Sequence, residues 1–533
     1  MTPVDQFELV LGLMVAVVAL ELAARWVRLP PSAVLVLGGI GLALVPNAPE
    51  ITLDPELTLL LFLPPLLFAS AYFTVWRDFR ANLRIILQLA VGAVAFTTLV
   101  VGVVAHWVMP SLPWAACFAL GAIVSPPDAV AAKAVLKGLT LPARLTTLLE
   151  GESLVNDATG LVLFRVAIAA GLTGAFNVWD AGASFVVVGI GGVIVGVALG
   201  YAASLALAHL REAHLNIVAG LLGAWAAYVC GEALHVSGVL STVAAGLVMG
   251  WRQHDVFSAS IRIQANAVWS VVVFLLESLV FILIGLALRG VLVRLSAAGM
   301  DPLALLPEIG AITLAMVLAR FAWILPATYV PRFLFPALRA HDPYPPVTVP
   351  VVLSWAGMRG VVSLAVALSV PVEFPGRDFI LATSFGVILI SILVQGTTLA
   401  PLIRWLGVDQ LKQDRRPTLS ESEARIHLAR ASLEAVRRRS RKSDGSEQHP
   451  RLVEQYTHRA QIAVRYVEAG GGLAADRLAH FDAVLDAIRA ARVEVLHLHR
   501  VGRIHDGVLH ALEAELDLEE LTARRRMADM PEH

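Results

Sequence analysis

Residues 151–160 read GESLVNDATG, an apolar run interrupted by Glu152, Ser153, Asn156 and Asp157. Carboxylates, a hydroxyl and a carboxamide at this spacing can hold a proton or a small cation. Positions four apart share a face of an α-helix, so Ser153 and Asp157 stand together and Glu152 and Asn156 line the neighbouring strip. Asp157 follows Arg144 by thirteen residues, about 20 Å of helix, close to the middle of a bilayer if Arg144 marks its edge. A polar strip can also glue helices together, but Ser, Thr or Asn serve for that. Two acids point to a pathway.

Two further stretches belong with this one. In AIVSPPDAVAA, Pro126 and Pro127 remove two backbone donors, so a helix is expected to break there beside Asp128. Freed carbonyls near Ser125 to Pro127 can bind a cation. A structural kink would account for the prolines but not for the adjoining carboxylate. In SWAGMRGVVSLAVAL, Gly357 and Gly360 flank Arg359 and permit unwinding. Arg359 can neutralise the C-terminal dipole of a half-helix or a neighbouring acid. Two more charges fall in apolar runs, Arg320 and Glu277. A lone arginine in lipid is costly, so Arg320 is expected to pair with Glu152. Pairing with Asp157 would spoil an ion site. Glu277 is open to a pairing or a structural role.

The elements that must position these residues follow from composition. Of 533 residues, 57% are hydrophobic and 16% charged, with mean hydropathy +0.73, against about 25% charged in a soluble domain. Apolar windows long enough to cross a bilayer recur along the chain. The expected fold is an all-α polytopic membrane protein with thirteen spans, near 6–26, 32–46, 55–74, 85–108, 113–136, 144–171, 181–209, 213–233, 237–251, 266–288, 303–330, 347–371 and 378–405. The first reads as a transmembrane helix rather than a cleaved signal. One set of connecting loops holds Arg25, Arg28, Arg77, Arg80, Arg84, Lys133, Lys137, Arg144, Arg211, Arg252, Arg262, Arg332 and Arg339, and the opposite set only Arg289, Arg294 and Arg377. Thirteen against three puts the first set in the cytoplasm, the N-terminus outside and the C-terminus inside. Residues 1–406 are then the membrane domain and 407–533 a cytoplasmic helical domain, suited to assembly or regulation. Cys117 and Cys230 lie in apolar runs and suggest neither disulfide nor metal. A net charge of -1 suggests no nucleic-acid partner. The fifth and twelfth spans, both interrupted, run in opposite directions in the two halves of the chain. Such a pair points to inverted repeats with the site where the broken helices cross.

AIVSPPDAVAA, EGESLVNDATGLVLF, ARFAWIL and GMRGVVSLA together resemble the first family of monovalent cation:proton antiporters, which holds bacterial sodium/proton antiporters of the NhaP type and animal sodium/proton exchangers. The resemblance spans the whole membrane portion. It implies that Asp157 alternately holds a cation or a proton, with Asn156 supporting the site. It implies oxygen ligands from Asp128 and Ser153, a Glu152–Arg320 pair joining two helices, and Arg359 balancing charge at the crossing. It also implies a homodimer in the cell membrane, elevator-like motion and electroneutral exchange, with no cofactor beyond the transported ions. Two positions depart from the pattern. Pro127-Asp128-Ala129 replaces the frequent Thr-Asp-Pro, leaving only the Pro127 carbonyl as a ligand. Ala69 stands where some members carry a glutamate. Both bear on the choice among Na⁺, Li⁺ and K⁺. A potassium/proton antiporter would use the same residues. A cation channel would have less use for a titratable mid-membrane carboxylate, and an organic-anion symporter would need more positive charge than Arg359. An enzyme is disfavoured, because the tail has no phosphate-binding glycine loop and its histidines, His497, His499, His505 and His510, have no cysteine partners.

Overall fold

The computed structural model describes residues 3–27, 29–45, 55–136, 139, 141–174, 177–210, 212–297, 299, 301–411, 421–441, 446–468 and 474–528. Arg28, Lys137 and Arg211 of the positive loops lie outside these residues. The described chain is helical throughout, with one isolated bridge between Arg441 and Glu447. It divides into two compact units, residues 1–413 and 414–533.

The first unit begins with α1 (Pro3–Val27), α2 (Pro31–Ala43) and α3 (Pro55–Phe73). Then come α4 (Trp76–Leu87) and α5 (Val94–Val108), made continuous by a π-helical turn at Gln88–Ala93. α6 (Trp114–Val124) and α7 (Ala129–Leu136) are two halves of one interrupted helix, followed by α8 (Ala143–Thr173). Next are α9 (Val178–Ala208), α10 (Ala213–Ala233), α11 (Gly238–Val256), α12 (Ala259–Ala297), α13 (Leu306–Leu334) and the short α14 (Pro336–His341). α15 (Thr348–Trp355) and α16 (Val361–Leu368) form the second interrupted helix. α17 (Arg377–Ile390) and α18 (Gly396–Trp405) join through a π-helical turn at Ser391–Gln395.

Local chemistry sets several ends. Asn177 accepts from the Trp179 amide at 3.0 Å to open α9, and Ser237 accepts from Leu240 at 3.2 Å to open α11. Gly174, at φ 69°, ends α8 in the left-handed conformation. Several helices outrun the apolar stretches read from the sequence. α4 starts at Trp76 and α12 covers Ala259–Ala297. Hydropathy marks only the apolar part of a helix, whereas backbone hydrogen bonding continues through its polar ends.

Among the described residues, eight helices are long and apolar enough to cross a membrane, and Pro31–Ala43, Leu57–Phe73 and Trp114–Val124 are shorter apolar ones. The chain is an all-α polytopic membrane protein. Its helices pack as two bundles, α1–α3 with α9–α12, and α4–α8 with α13–α18. The bundles face each other where α3, α11 and α12 meet α8, α16 and α17. An ion pair also links them, with Arg165 Nη2 of α8 at 2.9 Å from Glu232 Oε2 of α10.

In the second unit, α19 (Glu421–Ser440) packs on α20 (Pro450–Glu468) and α21 (Ala474–Arg500) on α22 (Asp506–Ala528). Phe481, Leu485 and Ala523 are buried between the latter two. Arg492 reaches Asp517 at 2.5 Å and Glu520 at 2.9 Å. A hydrogen bond from Arg524 holds the Glu520 carboxyl below the usual range. The support this lends is therefore present at neutral pH and lost as pH falls through the carboxylate range.

Candidate functional site

The two interrupted helices cross inside the second bundle, and backbone groups join them there. The Asp128 amide donates to Met358 O at 2.7 Å, so each break satisfies a polar group of the other. Such unwound backbone is acceptable in a membrane only where protein supplies partners or it lines a cavity.

Arg359 supplies most of them. It is fully buried, its Nε donates to Val124 O at 2.6 Å, and its Nη2 to Ser125 O at 3.0 Å. Its Nη1 donates to Gly357 O. The guanidinium thus takes the carbonyls at the C-terminal end of α6, where the helix dipole is negative. Arg320 does the same for α15. Its Nη2 donates to Leu353 O at 3.1 Å and its Nε to Ser354 O at 3.4 Å. It also grips Glu152 in bidentate fashion, Nη1 to Oε1 at 2.7 Å and Nη2 to Oε2 at 3.1 Å, with both residues only 1% exposed. Each half-helix that ends at the crossing is therefore closed by a buried arginine, one of them neutralised by an acid of α8.

Glycine is required at both ends of the second break. A side chain at Gly357 would meet Arg320 Cδ at 2.6 Å and Arg359 Nη1 at 3.0 Å, and one at Gly360 would overlap the Asp128 carboxylate. Gly360→Ala is accordingly expected to push Asp128 aside and loosen the crossing, and a lower unfolding temperature of the purified variant checks it.

α8 brings its polar strip against this crossing. Asn156 is completely buried, and its Nδ2 donates to Pro127 O at 2.6 Å. Its Oδ1 is buried with no hydrogen-bond partner among the described residues. Asp157 is 7% exposed and lies within electrostatic range of Asp128, which is half-buried. No hydrogen bond or ion pair holds Asp157 among the described residues. Ser153 sits half-buried one turn earlier on α8. The structure thus gathers Pro127, Asp128, Asn156, Asp157 and Arg359 at the crossing, with Glu152 and Arg320 beside them. Glu277 stands half-buried on α12, in the other bundle. Orphaned oxygen and unpaired carboxylate are hard donors of the kind an alkali cation takes.

Sequence reasoning missed three supports. Ser391 Oγ, in the second π turn, accepts from the Arg359 amide at 3.0 Å. Thr98 Oγ1 donates to Ser125 Oγ at 3.0 Å, and Ser125 Oγ donates to Gly121 O at 2.5 Å. Nothing near Thr98 or Ser391 in the chain sets them apart from ordinary helix hydroxyls. Ser391→Ala leaves the Arg359 amide unmet and should cost about 1–3 kcal/mol, read as a lower unfolding temperature.

A closed polar crossing in a helical membrane bundle, with an unheld carboxylate beside it, is the architecture of a secondary transporter rather than an enzyme. Residues 12–405 match the family described as sodium/hydrogen exchanger, transmembrane. The chain is 31% identical to an uncharacterized Na⁺/H⁺ exchanger of Mycobacterium tuberculosis, over 96% of this chain and 95% of that one. It is 33% identical to a sodium, potassium, lithium and rubidium/H⁺ antiporter of Bacillus pumilus, over 81% of this chain and 66% of that one. The fold matches the sodium proton antiporter MjNhaP1 from Methanocaldococcus jannaschii with TM-score 0.57 and 18% identity, covering 76% of this chain and all of that one. The chain belongs to the sodium/hydrogen exchanger family.

Proposed function

We propose that this protein exchanges Na⁺ for H⁺ at Asp157. The observation that carries this reading is a mid-bundle carboxylate that no partner holds among the described residues, beside Asn156 Oδ1, likewise without a partner among them, and within electrostatic range of Asp128. A carboxylate in such surroundings needs a positive companion, and a proton or a cation provides it. The two exclude each other, so a carrier that reorients only when its site is occupied must exchange one for the other. Ser153 and the Pro127 carbonyl are the further oxygen ligands, while Glu152, Arg320 and Arg359 are structural. The carbonyl of Pro127 keeps a lone pair beyond the bond from Asn156. Glu277 has a structural part in the other bundle. One titrating carboxylate per cation accords with electroneutral exchange.

Thirteen spans, the N-terminus outside and the tail in the cytoplasm are the topology that fits the charge bias of the loops. The two broken helices run antiparallel in this topology, as inverted repeats require. Rigid motion of the α4–α8 and α13–α18 bundle against the other, within a homodimer, is the alternating step, and it requires the Arg165–Glu232 pair to part. The Bacillus relative's range of cations, sodium, potassium, lithium and rubidium, supports K⁺ as the second reading of the substrate.

The test is exchange in proteoliposomes. A pH gradient is imposed, and Na⁺, Li⁺, K⁺ or choline is added separately. Dissipation by Na⁺ and not by choline is the expected result, with the responding cations defining the substrate range. A gradient untouched by every alkali cation would remove the proposal.

A further inference from the structure

Three arginines from three elements surround one aspartate away from the crossing. Arg332, 3% exposed in its side chain, holds Asp342 Oδ2 at 2.6 Å through Nη2 and also donates its Nε to Asp342 O at 3.1 Å. Arg144 holds Asp342 Oδ1 at 2.8 Å and spends its Nε on Asn82 Oδ1 at 3.1 Å. Arg84 reaches Asp342 Oδ2 only at 3.7 Å, beyond hydrogen-bond length, and its side chain is 44% exposed. In the ion pairs of the described residues, three positive charges thus meet one negative charge in a partly buried cluster, and Arg84 and Arg144 lie close enough to Arg332 to repel it. The N-terminal end of α8, at Ala143, adds its own positive dipole.

A cluster built only to tie helices together needs matched charges. This one keeps an excess, and the excess sits on the side chains that reach solvent. We propose that Arg84 and Arg144, backed by Arg332 and Asp342, form a site for a phosphate oxyanion. Guanidinium forks match phosphate oxygens in bidentate fashion. A basic cluster between helices at the cytoplasmic boundary suits the headgroup of an anionic phospholipid. Free phosphate presents the same oxygens. Asp342 orients the forks and the anion neutralises what Asp342 leaves over. Placement at the cytoplasmic boundary rests on the topology proposed above, but the site's charge does not depend on ion exchange.

Native mass spectrometry of the purified full-length protein tests it without measuring transport. Phosphatidylglycerol, phosphatidylcholine and inorganic phosphate are titrated separately against wild type, R84Q, R77Q and R80Q. Wild type should retain phosphatidylglycerol or phosphate over phosphatidylcholine. R84Q should bind about tenfold more weakly, the loss of one charge-assisted contact. R77Q and R80Q, exposed arginines of the same helix, should bind as wild type. R84Q removes only the long ion pair and leaves the 2.6 and 2.8 Å pairs to Asp342, so its lipid-free unfolding temperature should match wild type. Selective retention of phosphatidylglycerol assigns the headgroup, and retention of inorganic phosphate assigns the free anion. Equal binding by R84Q and wild type overturns the site, as does an equal loss in R77Q and R80Q, which would mark general surface charge.

Discussion

Asp157→Asn is expected to abolish cation-driven proton movement, to the level of empty liposomes, while the protein folds and assembles normally. The substitution keeps shape and volume and removes both the charge and the titratable proton. No hydrogen bond or ion pair to Asp157 is lost among the described residues, so no partner is stranded. Burying a charge without a partner is unfavourable, and removing it should leave the unfolding temperature unchanged or raised. Flux and thermal unfolding measured on the same preparation check both halves. An Asp157→Asn variant that still exchanges cations for protons would place the site elsewhere.

Glu152→Ala is expected to act in the opposite way, through stability first. It leaves the Arg320 guanidinium, 1% exposed, with only the carbonyls of Leu353 and Ser354. Breaking one side of a buried pair costs about 3–5 kcal/mol, a large part of the roughly 5–15 kcal/mol that holds a folded protein together. Poor recovery of folded protein and a markedly lower unfolding temperature are the expected readings. Replacing both partners, Glu152→Gln with Arg320→Gln, should recover much of that loss, because no charge is then stranded. A Glu152→Ala protein as stable as wild type would show that the α15 carbonyls alone satisfy Arg320.

The crossing was legible in the chain because charge in an apolar run is costly and must be explained. Asp157, Glu152, Arg320 and Arg359 each stand out on that ground. Paired prolines alone do not break a helix here. Pro64 and Pro65 lie inside α3 without interrupting it, whereas Pro126 and Pro127 fall where α6 gives way to α7. The difference lies in partners. The carbonyls of Val124 and Ser125 find Arg359, and the Asp128 amide finds Met358. All of these pairs are distant in sequence, and no local pattern announces them. For the same reason the sequence suggests that Arg320 pairs with Glu152 but leaves the bidentate geometry, with two half-helices capped by two arginines, to the fold. The π turns at Gln88–Ala93 and Ser391–Gln395 were not visible either.

The central claim is competition between a proton and a cation for one carboxylate. The most direct measurement is proton release when a cation binds. Purified protein in weakly buffered detergent, at a pH where Asp157 is protonated, is mixed with NaCl and, as a control, with choline chloride. Binding that displaces a proton should release about one proton per chain with Na⁺, none with choline, and none from Asp157→Asn. Release that persists undiminished in Asp157→Asn, or its absence in wild type at cation levels that support flux, would contradict the account.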